Sequence, residues 1–197
     1  VVQDQFGRYW IATQDKGLFV VEKKRGDWQL IKQFLPNSSI RRLWLDRSEI
    51  WVGSQFNGLH IIDLKTLKNY AHIDETGTLK HPDFHIQRLN DKHLIWLRTE
   101  GLTLIDGINK TIDKTLSTFI HPASQELIDF PAGRAISTDK SGNIWLGSHR
   151  QSAFLIKLDS DLNVLKVYPD ENNIEPNYIF DILFDKDNTM LFATWGN

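Results

Sequence analysis

The chain has 197 residues and a formal net charge of −2, with 41% hydrophobic and 24% charged residues. This composition is typical of a globular protein, not a disordered one. The sequence has no basic block, which argues against nucleic acid as a partner because phosphate binding needs concentrated positive charge. It contains no cysteine, which excludes disulfides, thiol catalysis and zinc–thiolate sites.

Targeting signals are also missing from these residues. No apolar run approaches the length of a membrane span, and no signal peptide is present. The first residue is Val1 instead of Met, and Val1–Asp4 already belongs to a repeat. We therefore expect an excerpt from a longer protein, with any membrane attachment in segments outside this chain.

A short tryptophan phrase recurs at intervals of roughly 40–50 residues, a period typical of propeller blades. A fifth copy, Leu191-Phe192-Ala193-Thr194, keeps the frame without the indole. We interpret each indole as a core side chain that packs one sheet against the next, with a role as a ligand platform as the weaker alternative. The four phrases with an indole are Trp10-Ile11-Ala12-Thr13, Trp51-Val52-Gly53-Ser54, Trp96-Leu97-Arg98-Thr99 and Trp145-Leu146-Gly147-Ser148.

Turn signals flank the phrase on both sides. Asp4-Gln5-Phe6-Gly7 and Asp139-Lys140-Ser141-Gly142 join a turn-forming Asp to a Gly that accepts a positive φ. A Gly-Leu pair, as in Gly17-Leu18 and Gly58-Leu59, follows and leads into an alternating strand. Outer fourth strands are predicted at Trp28–Phe34, Thr66–Tyr70, Thr115–Ile120 and Val164–Tyr168.

These elements predict an all-β fold, a β-propeller of four-stranded antiparallel blades. We expect one partial propeller over residues 1–197, with repeats at about 1–38, 39–83, 84–132, 133–176 and an incomplete 177–197. The four to five blades could close as a small ring or form part of a larger one. An open arc would expose apolar blade faces and favour self-association.

With its Asp-x-x-Gly turn, Trp-Ile-Gly-Thr-like strand and Gly-Leu turn, the chain resembles the two-component regulator propeller repeat family. The resemblance implies a seven-bladed propeller in the periplasmic sensor region of a bacterial hybrid histidine kinase or diguanylate cyclase. It also implies that the output domain lies outside this chain. The third copy is shortened before Gly101-Leu102, and the fifth lacks its Trp.

Propellers bind ligands on loops at one mouth of the channel, and the candidate loops are 14–16, 35–39, 55–57, 71–83, 100, 121–132, 149–152 and 169–176. We expect function most at 71–83, 121–132 and 149–152, which depart furthest from the repeat. Five residues before the turn residues Asp46, Asn90, Asp139 and Asp185 stand three basic or titratable side chains and one aromatic. Arg98, His149 and Arg150 lie in loops at the same end. The aligned residues are Arg41, His85, Arg134 and Phe180.

We interpret Arg41, His85, Arg98, Arg134, His149 and Arg150 as a basic funnel for an anionic or carbohydrate ligand, because guanidinium forks suit carboxylate and phosphate oxygens. The alternative is that these side chains pair with nearby acids such as Asp83, Glu100 and Asp181. We expect no catalytic residue, no metal and no cofactor.

The sequence therefore favours a non-enzymatic, ligand-sensing module of a transmembrane signalling protein. One alternative is an enzyme similar to streptogramin lyases, in which His85 or His149 with Glu100 would imitate the metal-assisted site. Another is a protein-interaction scaffold, a role that propellers commonly fill.

Overall fold

The described part of the chain is built from short antiparallel strands. The structure is a computed structural model and describes residues 1–74, 85–98, 101–130, 133–148, 155–168 and 179–194, apart from the Arg98 side chain. Among these residues there is no helix with the length and apolarity that crossing a membrane requires. Two compact units make up the chain, Val1–Asp83 and Phe84–Asn197.

The first unit contains two four-stranded sheets, each a meander in which neighbouring strands are consecutive in sequence. The first sheet comprises β1 (Val2–Gln3), β2 (Tyr9–Ala12), β3 (Leu18–Lys24) and β4 (Asp27–Phe34). The second comprises β5 (Ile40–Asp46), β6 (Glu49–Ser54), β7 (Leu59–Asp63) and β8 (Lys68–Ile73).

The second unit contains two more four-stranded meanders and two strand pairs. Its meanders are β9 (His85–Arg88), β10 (His93–Arg98), β11 (Gly101–Asp106) and β12 (Thr111–Leu116), then β15 (Gly133–Thr138), β16 (Ile144–Ser148), β17 (Leu155–Leu158) and β18 (Val164–Tyr168). The pairs are β13 (Thr118–Ile120) with β14 (Leu127–Asp129), and β19 (Ile179–Phe184) with β20 (Met190–Thr194). The predicted all-β architecture of four-stranded antiparallel sheets is confirmed.

The third outer strand differs from the prediction of Thr115–Ile120. It is β12, which begins earlier because Asp106 closes a tight turn: the backbone N–H groups of Ile108 and Asn109 both donate to Asp106 Oδ1 at 2.8 Å. The chain therefore reverses at once and pairs Thr111 with Asp106. The released segment Thr118–Ile120, the end of the predicted strand, pairs instead with β14, which lies in the predicted loop 121–132.

The indoles of the repeat belong to the core. Trp10, on β2, is fully buried in a cluster with Ile40 and Val52 of the second sheet. In the second unit, the Trp145 ring lies 6.0 Å from that of Phe184 on β19. In these two copies, the interpretation that an indole packs one sheet against the next is confirmed.

A single carboxylate ties the first turn of the repeat to this core. The backbone N–H groups of Phe6 and Arg8 donate to Asp4 Oδ1, and the indole N–H of Trp10 donates to Asp4 Oδ2 at 2.8 Å. Asp139 repeats the arrangement with the N–H groups of Ser141 and Asn143 and with the Trp145 indole, at 3.0 Å. Burial opposes ionisation of both carboxyls, but the hydrogen bonds outweigh it and lower the pKa of each.

Asp185 shows the same turn without the indole. The backbone N–H groups of Asp187 and Thr189 donate to its Oδ1 at 2.8 Å, while Leu191 occupies the Trp position. The turn can therefore form without the hydrogen bond to an indole. The chain contains turns with this bond, at Asp4 and Asp139, and a turn without it, at Asp185.

We expect Asp139→Asn to lower the free energy of unfolding by about 1–3 kcal/mol at pH 7, because the amide keeps the turn acceptor but the nitrogen that replaces Oδ2 cannot accept from the Trp145 indole or from the Asn143 side chain. Asp185→Asn is the matched control, and its cost should stay within about 0.5 kcal/mol. Urea denaturation measures both. Equal costs for the two variants would contradict a stabilising role for the indole bond.

The glycine of the second turn is fixed by close packing. Gly17 has a φ of 79°, and a Cβ added there would lie 2.2 Å from the carbonyl oxygen of Leu35. Gly7 has the same φ, but nothing lies within 4 Å of its hypothetical Cβ. The two positions share this positive φ and differ in the space around them.

Gly7→Ala should therefore cost about 1–2 kcal/mol, the penalty for a left-handed alanine. Gly17→Ala should cost a further 1–3 kcal/mol or so, because the loop at Leu35 must also move. Thermal and urea denaturation of both variants give the difference, and no difference would show that the loop accommodates a methyl group freely.

Candidate functional site

Three loops of the first unit enclose a cleft of about 370 Å³ at one end of its sheets. One loop joins β2 to β3, one joins β6 to β7, and the third connects the two sheets. The lining residues are Gln14 and Asp15, then Ser54, Gln55, Phe56 and Asn57, and finally Asn37, Ser38 and Ser39.

The last residue of the tryptophan phrase shapes two of these loops. The Thr13 hydroxyl donates to the carbonyl oxygen of Gly17 at 2.7 Å and accepts from the Lys16 N–H at 3.0 Å. The Ser54 hydroxyl makes the equivalent bonds to Gly58 and Asn57, at 3.2 and 2.9 Å. A Thr or Ser at this position therefore closes the turn locally.

The third loop is held between the other two by backbone hydrogen bonds. The N–H of Gly17 donates to the Ser38 carbonyl at 2.9 Å, and the N–H of Gln55 donates to the Ser39 carbonyl at 2.8 Å. The Ile40 N–H donates to the Thr13 carbonyl at 2.9 Å. The cleft is thus built on a fixed backbone, an arrangement that suits binding loops.

Amide and hydroxyl groups dominate the cleft, and an aromatic ring lies beside them. Phe56 is 66% exposed. The Arg41 guanidinium donates to Gln55 Oε1 from Nε at 3.1 Å and from Nη2 at 2.5 Å, which places a cation next to the lining. Within the described residues, the buried Ser39 hydroxyl has no hydrogen-bond partner. The site can therefore offer several polar contacts and one aromatic face.

A buried imidazole lies behind Asn57. His60, on β7, is only 5% exposed, and burial lowers its pKa to about 4, with repulsion from His72 as the second cause. The Asn57 amide nitrogen lies 3.2 Å from His60 Nε2. At neutral pH this histidine is therefore uncharged.

The predicted positions of Arg41 and Arg134 are structurally equivalent. Each is the extra residue of a β-bulge at the start of its strand: Ile40 pairs with Ser54 and Arg42 with Gly53, while Arg134 lies in the corresponding bulge of β15. Phe180 occupies the same position in β19. The Arg134 guanidinium lies 5.0 Å from the centre of the Phe180 ring, so this arginine already has an aromatic partner.

His85 does not share that position. It lies opposite Leu97 in the β9–β10 ladder, the place that Leu43 and Ile136 take in their own sheets. The alignment on Asn90 is out of register because the β9–β10 turn is centred one residue differently, with the Leu89 N–H bonded to the His93 carbonyl.

The remaining predicted residues are spread over the chain. Arg41 belongs to the first unit, whereas His85, Arg98 and Arg134 belong to the second. Arg98 ends β10 opposite Gly101, and His149 and Arg150 lie outside the described residues. In the part of the chain that the structure describes, no group of three His, Asp or Glu side chains could hold a metal ion.

The three cleft loops are among the eight candidate loops of the sequence, but the sequence favoured 71–83, 121–132 and 149–152 and selected no side chain of the cleft other than the neighbouring Arg41. Gln55, Phe56 and Asn57 were available as a departure from the shorter Glu100-Gly101 turn of the third copy. That Gln55 and Asn37 face one cleft depends on the packing of two sheets, which a repeat alignment does not contain.

The fold is similar to that of two solved structures from B. thetaiotaomicron, each described as the extracellular domain of a hybrid two-component system. The first has a TM-score of 0.68 and 19% identity over 98% of this chain. The second has a TM-score of 0.52 and 16% identity over 96% of this chain. This chain spans only 28% and 31% of those two chains.

At these identities the likeness shows the fold alone, and at that level it confirms the expected resemblance to extracytoplasmic regions of two-component proteins. No protein-family model matches the sequence. No curated protein matches it either.

The lowered pKa of His60 predicts a pH-dependent stability. Because its folded-state pKa of about 4 lies below the ordinary value of 6.5, the unfolded chain binds more protons between these two pH values. The free energy of unfolding should therefore fall as the pH drops from 6.5 towards 4. Urea denaturation across this range should show a shallower decline in His60→Gln than in the parent chain, and parallel curves would contradict the assignment.

Proposed function

We propose that this chain is an extracytoplasmic ligand-sensing module of a two-component signalling protein. In this proposal the cleft of the first unit binds a small hydroxylated or anionic compound, such as a sugar or sugar acid, and the chain catalyses no reaction. The observation that carries the proposal is the juxtaposition of hydrogen-bonding amides and hydroxyls with the exposed Phe56 ring.

The chemistry of the cleft matches a hydroxylated ligand. The apolar face of a sugar ring packs on an aromatic side chain, while its hydroxyls exchange hydrogen bonds with amides. Gln55 and Asn57 flank Phe56 on the same turn, and Arg41 lies beside Gln55 to receive a carboxylate. The unused Ser39 hydroxyl supplies further hydrogen-bonding capacity at the lining.

Signal transfer would require two states of different affinity. A ligand shifts an equilibrium only by its differential affinity for those states. The output domain, a kinase or cyclase, and the membrane segment would lie outside this chain. Self-association through exposed apolar sheet faces would supply one route by which binding changes an assembly.

Thermal-shift measurements against mono- and disaccharides and uronic acids test the proposal, since a ligand of the folded state raises the melting temperature. Phe56→Ala should weaken binding of any hit at least tenfold, about 1.4 kcal/mol. Trp28→Ala is the matched control: Trp28 is likewise exposed, at 57%, but it is the second residue of β4, and the cleft loop follows the opposite end of that strand. Equal losses for both variants would contradict this location.

A comparison of two arginines separates the cleft from the wider basic funnel. If the cleft alone binds an anionic hit, Arg41→Ala should weaken the affinity several-fold and Arg134→Ala should leave it unchanged. Isothermal titration with a uronic acid measures both. Equal losses would contradict a site confined to the cleft, and no loss in either variant would exclude both arginines from the site.

A further inference from the structure

Two histidines form a stacked pair next to the cleft. His60 on β7 and His72 on β8 are direct cross-strand neighbours. Their ring centroids are 4.3 Å apart, and the rings are inclined by only 14°. His60 is buried, and His72 is on the exposed outer strand. Stacked imidazoles tolerate each other best when at least one is neutral, because two like charges at this distance repel.

The repeat contains no other histidine at these positions. In each four-stranded sheet, the residue that follows the repeat tryptophan pairs with a residue of the third strand. In the second sheet this third-strand residue is His60, which lies opposite Val52. The corresponding residues of the other three meanders are apolar: Phe19, Leu102 and Ile156. A buried histidine at a position that otherwise carries an apolar side chain is costly unless its hydrogen bonds are satisfied. We therefore infer that His60 has a role in this sheet beyond packing.

The hydrogen bonds around His60 fix its protonation state. The Asn69 amide satisfies all of its neighbours when its nitrogen donates to the carbonyls of Ala71 and Ile61 and its oxygen accepts from His60 Nδ1, each at 3.1–3.2 Å. Nδ1 then carries the proton. Nε2 accepts from the Asn57 amide nitrogen at 3.2 Å, so the ring is a neutral imidazole with both nitrogens in use.

Both imidazoles form a hydrogen bond with Asn57. His60 Nε2 accepts from the Asn57 side chain, and His72 Nε2 lies 2.8 Å from the Asn57 backbone oxygen, to which it donates. Asn57 is also a wall of the cleft. A change of charge on the pair is therefore transmitted to the cleft through one residue.

Among the described residues, two charged or titratable groups act on His60. His72 disfavours a second charge, whereas Asp74, which follows β8, favours protonation of His60. Val52, opposite His60 on β6, is apolar, and Asp15 lies in the loop across the cleft. The attraction of Asp74 does not offset the burial, so the neutral form persists until the medium becomes acidic.

We propose that the His60–His72 pair is a proton-sensitive latch that sets the conformation of Asn57 and thereby the affinity of the cleft. A proton that binds His60 Nε2 turns the acceptor into a donor that faces the donating nitrogen of Asn57. The amide must then rotate to present its oxygen or leave its place. This regulation rests on the proposed ligand-binding function of the same cleft.

The latch predicts a one-proton coupling. A ligand that requires the neutral form should show an apparent Kd that doubles at the His60 midpoint and rises about tenfold one pH unit below it. The latch itself is tested without a ligand, by NMR of the labelled chain titrated from pH 7.5 downwards with circular dichroism as the check on folding.

The expected result is that the Asn57 side-chain amide and the Gln55 backbone amide shift with the same midpoint as the His60 ring proton. His60→Gln keeps an acceptor towards Asn57 but cannot titrate, so the shifts should vanish. Cleft amides that ignore the His60 titration, or that shift equally in His60→Gln, would overturn the latch.

His72→Gln supplies a second test that does not disturb the buried position. Its amide can still donate to the Asn57 carbonyl, but it removes the repulsive neighbour, so the coupled midpoint should move to higher pH. An unchanged midpoint would count against the pair as a unit. A ligand screen without hits would contradict the proposed function and leave this coupled transition in place, so the two failures are distinguishable.

Discussion

The carboxylate that begins the repeat turn in the first and fourth copies is the constraint on which the rest of their sheets depends. Asp4 and Asp139 each accept two backbone N–H groups of their turn and the N–H of the following indole. The turn therefore cannot change its shape without moving a core side chain. The hairpin register and the packing of the indole are set by the same two oxygens, which explains why Asp precedes Trp by the same six residues in these two copies.

The opposite end of the tryptophan strand is fixed by different chemistry, and this difference makes room for a site. Thr13 and Ser54 close their turns with a hydroxyl, and Gly17 lies against the carbonyl of Leu35. These contacts use the backbone of the loops. The side chains at Gln14, Asn37 and Phe56 are consequently free to vary, and they line the cleft. A rigid repeat thus carries a variable surface.

Local turn chemistry made most of the fold predictable from the sequence, because an Asp-x-x-Gly turn or a Gly-Leu pair acts within a few residues. Two features were not predictable. The early start of β12 depends on how Asp106 bonds to Asn109, and the register of His85 depends on a turn centred on different residues. The cleft could not be predicted from the sequence either, because its walls come from loops of two sheets whose packing a repeat pattern does not contain.

The histidine pair shows how a repeat can carry regulation without losing its fold. Replacing an apolar residue by His60 would destabilise the sheet if the imidazole were left unsatisfied. Asn57 and Asn69 remove that cost by pairing with both ring nitrogens. The satisfied state exists only for the neutral ring, so the compensation is itself sensitive to protons. Asn57 also lines the cleft. The hydrogen bond that stabilises the buried His60 ring is therefore the same contact that connects it to the binding surface.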